Sequence, residues 1–297
     1  MTATALPHAP GQRQEQRPSQ WRRATRRFLR RPPAVLGLAG VVVVVGVAVL
    51  APWIAPYPPS ANHYDAVLAP PFSHGYLLGT DDLGRDILSR LMWGARVSLV
   101  AGVVATLLAA VVAVPIGMIS GFYRSWIDTV FMRLNDVVLS FPFLILAVGL
   151  AAMLGPSLQN ATIALAVAQF PIFLRISRGE MLGLREQDHM AAARVNGAPV
   201  RVMLFRHGLP NMLSPLVVQV TVGIPNAIIG AAILSFLGLG VQPPTPAWGS
   251  MLSEAQNYLS QAPLFAVFPG LAIVVTTLAF NLLGDGLRDV LDPRTLS

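Results

Sequence analysis

The sequence contains no cysteine, and all 21 of its basic residues are arginine, so lysine is missing as well. Without cysteine there are no disulfides, no thiolate metal sites and no cysteine nucleophile. Without lysine there is no nucleotide-binding loop of the lysine-bearing kind, no Schiff-base lysine and no catalytic lysine. If nucleotide hydrolysis drives this protein, another chain performs it. Histidine is sparse: His8, His63, His74, His189 and His207 show no paired metal-ligand spacing. His63 and His74 read as solvated loop histidines, so no metal site, catalytic residue or resident cofactor is expected in this chain.

Charge is scarce too. Of 297 residues 12% are charged and 54% hydrophobic, with a mean hydropathy of +0.60, too little polar surface to wrap a water-soluble core. Uncharged runs fill 32–64, 97–123, 137–174, 207–253 and 255–284. A bilayer core about 30 Å thick takes about 20 helical residues per crossing. The runs therefore predict an all-α polytopic membrane protein with six spans near 34–56, 97–119, 137–154, 159–177, 213–238 and 264–283.

Orientation follows from the arginines, because short basic loops stay cytoplasmic. With the N-terminus inside, eighteen arginines fall inside and only Arg85, Arg90 and Arg96 outside. Both termini are thus expected in the cytoplasm. The division of the chain is a cytoplasmic tail (1–33), a first transmembrane helix (34–56) and an extracytoplasmic segment (57–96). A five-span core (97–283) with a cytoplasmic loop (178–212) and a C-terminal tail (284–297) complete it. Residues 1–20 have the composition of a disordered segment, and 21–31, WRRATRRFLRR, that of a basic stretch against anionic lipid.

An ion-coupled transporter keeps ionisable side chains near mid-membrane, and these spans have none near their centres. They carry amides and hydroxyls instead, among them Gln169, Gln219 and Asn226, which either line a wet path or join helices. Gln219 and Asn226 are the candidates for a pathway. Pro115, Pro142, Pro171, Pro215, Pro225 and Pro269 interrupt five spans, and Gly117 with Gly121 has the spacing that lets two helices approach closely.

Residues 77–99, LLGTDDLGRDILSRLMWGARVSL, predict a short amphipathic helix on the outer surface. Thr80 would cap it, Asp81 and Asp82 would occupy its first turn, and Asp81–Arg85 and Asp86–Arg90 would pair four residues apart. It would end near Gly94. Its charged residues, Asp81, Asp82, Arg85, Asp86 and Arg90, are either the contact face for an external partner or part of a plug over the bundle.

The segment AAARVNGAPVRVMLFRHGLPN, residues 191–211, stands between two apolar spans. Topology accounts for its arginines but not for the small residues, Gly197 and Leu209-Pro210. Its pattern predicts a helix over about 186–195, a turn at Gly197 and a second helical stretch up to Pro210.

These residues resemble the cytoplasmic EAA motif of ABC importer permeases: E-A-A, three residues, G, nine residues, I, one residue, L-P. Here it falls on Ala191-Ala192-Ala193, Gly197, His207 and Leu209-Pro210, with alanine for the glutamate and histidine for the isoleucine. The string as a whole, together with GTDDLGRDILSR outside, is similar to the dipeptide and oligopeptide branch, specifically its C-type subunit, over roughly residues 25–295. The resemblance implies a type I-like permease fold with an extra N-terminal helix. It implies half of a pathway formed with a second homologous permease, two ATPase subunits or domains that bind ATP and Mg, and an extracytoplasmic substrate-binding protein. It makes the loop an ATPase-coupling element, through Glu186, Gln187, Asp188, His189, Ala191, Ala192, Gly197, Arg201, Arg206 and Pro210. Nickel, glutathione and other small-solute systems use similar permeases, and nothing in the sequence points to nucleic acid.

Overall fold

The computed structural model describes residues 28–291. The expectations for residues 1–20, for residues 21–27 of the basic stretch and for Arg294 lie outside the described residues. Among those described there is no strand, only two isolated bridges. Five helices are long and apolar enough to cross a membrane, and a bent pair makes a sixth span if counted as one.

The first, α1, is Pro32–Ile54, with proline in its first turn, where the missing N–H has no helical partner to lose. Next comes α2, Ile87–Tyr123, 37 residues long. At about 1.5 Å per residue it exceeds the bilayer core, so its first turns project beyond it. This corrects the expectation of a separate surface helix starting at Asp81 and ending near Gly94. Asp81 closes a loop instead, its Oδ1 accepting the N–H groups of Leu83 and Arg85, each at 2.9 Å. Asp86 rather than Thr80 caps the helix, accepting the Ser89 N–H at 2.9 Å, and the Thr80 hydroxyl donates to the Ala66 carbonyl. Gly94 then lies inside an unbroken helix.

The third span also differs from expectation. Helices α3, Trp126–Leu139, and α4, Phe143–Leu154, meet at 91°. Pro142 cannot donate to a helix ladder and keeps Phe141 out of helical geometry, so the apolar run breaks where a kink was expected. The 12 residues of α4 reach only about 18 Å. Helix α5 is Leu158–Leu184 and the short α6 is Asp188–Val195. Helix α7, Val200–Phe236, runs through Leu209-Pro210 without stopping. It tolerates Pro210 because Met203–Gly208 forms a π-helical segment, and the Asn211 side chain donates to the His207 carbonyl at 2.6 Å. Helix α8, Trp248–Ala255, and α9, Pro263–Leu291, complete the bundle.

The central pair is α2 with α5. Along α2, Ala101, Ala105, Ala109, Ala113, Gly117 and Gly121 recur every fourth residue, and all are buried. That row forms a low ridge, which is why two backbones can come together where lipid offers no hydrophobic drive between helices. A Cβ on Gly117 would lie 2.0 Å from Ser177 Oγ and 2.6 Å from the Leu174 carbonyl oxygen. Gly117→Val is therefore expected to destabilise the folded chain by about 1–3 kcal/mol or more through overpacking, read as a lower unfolding temperature in detergent. Unaltered thermal stability would contradict the tight approach.

Helix α1 lies against α9 and α2, while α7 packs on α9, α2 and α5. Arg31 at the start of α1 pairs with Asp289 near the end of α9. The bundle thus has one basic end, carrying α6, and an opposite end carrying α8 and the loop before α2.

Candidate functional site

At the basic end, α6 is a short helix of eight residues whose two ends carry suitable charge. Asp188 lies in its first turn and Arg194 in its last, each complementing the local helix dipole. Gly197 has φ +73°, a left-handed conformation that glycine adopts without strain. Around it the Gly197 N–H reaches the Arg194 carbonyl and the Ala198 N–H the Ala193 carbonyl, both at 3.0 Å. Pro199 then precedes the first turn of α7.

One side chain seats this helix. Met190, the single buried residue of α6, joins an apolar cluster with Met181 of α5 and with Met203, Leu204 and Met212 of α7. Arg185 donates to the Phe122 carbonyl at the end of α2 at 2.9 Å, and the Arg194 guanidinium lies 5.9 Å from the Phe122 ring centre. Arg178 of α5 grips Asp128 of α3 in two bonds, 2.6 and 2.7 Å. The helix is tied to α2, α5 and α7 from beneath and bare above.

The residues expected to take part in coupling are all solvent-accessible. Glu186, Gln187, Asp188, His189, Ala191 and Ala192 are exposed, as are Gly197, Arg201, Arg206 and Pro210. Val195 is 88% exposed at the tip of α6, an apolar side chain held in the open. It went unnoticed in the sequence, where one valine between arginine and asparagine carries no signal.

At the opposite end the charges behave otherwise. Asp81, Arg85, Asp86 and Arg90 are buried, at 0, 5, 2 and 1% exposure. This corrects the idea of a charged face offered to an outside partner, because these groups are consumed internally. Arg85 Nε bonds Asp81 at 2.6 Å and Arg90 Nη1 lies 3.0 Å from the same carboxylate. Both guanidiniums then meet Glu254 of α8, at 3.0 and 2.8 Å, and Asp82 is 3.5 Å from Arg85. Asp86 does not pair with Arg90; it holds Ser89. Burial pushes the Glu254 carboxyl above its usual range, with Arg90 and Arg85 pulling it back.

Asp81, Asp82 and Glu254 bring carboxylate oxygens within 4.8 Å of one another, a spacing that could suit a cation. Arg85 and Arg90 already supply the positive charge there. The cluster is a clamp: it fixes the loop before α2 to α8, helped by Trp248, whose indole N–H donates to the Leu91 carbonyl at 3.0 Å. Glu254 was missed because its partners lie 164 and 169 residues away.

Between these ends, a cavity of about 350 Å³ opens among α4, α5 and α7. Gln169, Gln219 and Asn226 line it with Gly223, Phe143, Leu144, Ile172 and Ile229. Both pathway candidates named from the sequence, Gln219 and Asn226, are thus brought together, and Gln169 joins them.

A helical bundle with five or six apolar spans, a loop clamped by buried charges at one end and a short exposed helix at the other is the architecture of a polytopic membrane protein. The family described as binding-protein-dependent transport system inner membrane component matches residues 113–297, and the N-terminal TM domain of oligopeptide transport permease C matches residues 19–71. The chain belongs to this family, in its dipeptide and oligopeptide ABC importer branch with the additional N-terminal helix. It is an integral inner-membrane protein and a transport component.

The chain is 47% identical to the dipeptide transport system permease protein DppC of Escherichia coli strain K12 over 272 residues, 90% of this chain and 91% of that one. The protein of that name from Haemophilus influenzae is 44% identical over 266 residues, 88% and 90% of the two chains. The glutathione transport system permease protein GsiD of Pectobacterium atrosepticum is 43% identical over 279 residues, 93% and 92%.

Proposed function

We propose that this chain is one half of the pathway of an ATP-driven importer of short peptides, and that α6 with its Gly197 turn couples it to cytoplasmic ATPases. One observation carries the reading: a short helix is anchored from below by Met190 and presents Val195 and the small residues Ala191 and Ala192 to solvent. A lone exposed valine is ordinary, but a helix seated from one side with a smooth face and an apolar tip suits insertion into a partner's groove.

In this reading both termini and α6 face the cytoplasm, as the arginine distribution supports. A second homologous permease completes the pathway, two ATPase subunits or domains bind ATP and Mg, and an extracytoplasmic binding protein delivers cargo. This chain itself performs no catalysis. Motion of α6 passes to α5 and α7 through the methionine seat, and to α2 through Arg185 and the Phe122 carbonyl.

The test is Val195→Arg in the reconstituted complex. A charge forced into the groove is expected to lower ATP-driven uptake at least about tenfold, with the permease pair still purifying together. Wild-type uptake by this variant would rule α6 out as the coupling element. Similarity to a glutathione permease supports a second reading, the same machine with glutathione as cargo. Competition between glutathione and a dipeptide for uptake separates the two.

A further inference from the structure

We infer that the cavity among α4, α5 and α7 is a cargo-contacting subsite in which the carboxamides of Gln169, Gln219 and Asn226 hydrogen-bond the backbone amide groups of a short peptide. This rests on the reading of the chain as a peptide permease half and adds which residues touch the cargo, and by what chemistry.

The ordinary role of an amide in a membrane helix is to bond a neighbouring helix. Among the described residues these three do little of that. Gln169 is 4% exposed, yet its one partner is the Thr106 hydroxyl at 3.4 Å, and that hydroxyl already donates to the Gly102 carbonyl at 2.9 Å. A good hydrogen bond of this kind is about 2.9 Å, so the carboxamide keeps unused capacity. The side chains of Gln219 and Asn226 have no protein partner among the described residues, and Asn226 is exposed on the open side of the cavity. An unpaired amide facing hydrocarbon is costly, so this face requires water, a polar ligand or a polar group of the second permease half.

Chemistry narrows the ligand. No charged side chain lines the cavity, so a free metal ion finds neither carboxylate nor imidazole there. A carboxamide presents a donor and an acceptor in one plane, as a peptide group does, and the two pair reciprocally. Phe143, Leu144, Ile172 and Ile229 supply apolar walls for varied side chains.

Spacing points the same way. Gln219, Gly223 and Asn226 occupy one face of α7, and the outer two are about 10 Å apart along the axis. An extended peptide covers that distance in about three residues. Gly223 is the notch between them: a Cβ there would lie 2.8 Å from Gln169 Oε1, so its absence gives the buried amide room beside the cavity.

The experiment uses the complete complex in proteoliposomes, with trialanine and trialanine methylated on both peptide nitrogens as probes. The affinity of the binding protein for each is measured separately and uptake is compared at saturation. Wild type is expected to carry the methylated probe about fivefold or more slowly, and Gln219→Leu and Asn226→Leu each to slow trialanine about fivefold, the equivalent of one neutral hydrogen bond. Both substitutions should also shrink the discrimination between probes, which a folding defect would not do. Val217→Ala, on α7 but away from the cavity, should transport as wild type. Unchanged trialanine rates in both variants, or slower rates with discrimination intact, would overturn the subsite while leaving the importer standing. No ATP-driven trialanine uptake by wild type would overturn the peptide reading and the subsite with it.

Discussion

Gly197→Pro is expected to abolish ATP-driven uptake while the permease still inserts and pairs. Gly197 sits at φ +73°, and proline holds φ near −65°, so the turn after α6 has to be rebuilt. The exchange also removes the N–H that reaches the Arg194 carbonyl at 3.0 Å. Local destabilisation of about 3 kcal/mol or more follows. It falls on an exposed loop end, and nothing lies within 4 Å of the position where a Cβ would be, so the spans are undisturbed. The α6 helix would leave its present angle, and binding-protein-stimulated ATP hydrolysis would fall to the unstimulated level. Gly197→Ala provides the graded control: the strain of a left-handed residue without the fixed ring should give a partial loss. Full transport by the proline variant would show that the angle of α6 carries no mechanical signal.

Asp81→Leu should be the most destabilising single change at the opposite end. Asp81 is fully buried, accepts from the Arg85 side chain and from the Leu83 and Arg85 backbone, and stands 3.0 Å from Arg90 Nη1 as an ion pair. Removing it leaves two buried guanidiniums facing Glu254 and the distant edge of Asp82. Stranding one partner of a buried pair costs about 3–5 kcal/mol. The readout is thermal unfolding in detergent together with protease sensitivity of residues 57–86. Asp81→Leu combined with Arg85→Leu restores the charge balance, because Arg90 and Glu254 still pair at 2.8 Å, and should recover much of the loss. A loss below about 1 kcal/mol in the single variant would mean that the cluster is surface-like and weakly coupled.

How much of this was legible in the residues depended on the range of the interaction. The spans could be read because an uncharged run against a bilayer of known thickness is a local signal, and α6 could be read because Gly197 and Pro199 punctuate the chain locally. The same reasoning misplaced the start of α2. Thr80 followed by two aspartates has the pattern of a helix entry, but Asp81 turned its side chain back onto the Leu83 and Arg85 N–H groups and postponed the helix to Ile87.

The break at Pro142 was visible as a proline and invisible as a right-angle corner, since sequence does not say whether neighbours will straighten a helix. Pro115, Pro171, Pro215, Pro225 and Pro269 all stay inside helices. Charge pairing was the least legible. Arg85 has a partner four residues away, which spacing reveals, but the role of Glu254 depends on a fold that carries α8 to the start of α2.

The methionine seat beneath α6 has a mechanical meaning. A helix resting on branched side chains is held at one angle, because each has few rotamers and tilting opens a void. Thioether chains turn about three bonds and refill the gap as the contact changes shape. With Met181, Met190, Met203 and Met212 in one cluster, the proposed joint would transmit a push yet accept rotation, as a ball in a soft socket does. Oxidation of Met190 to its sulfoxide would put a polar group in that socket and stiffen or unseat it. The transporter would then consume ATP with less cargo moved, its defect lying in the bearing and not in the pore.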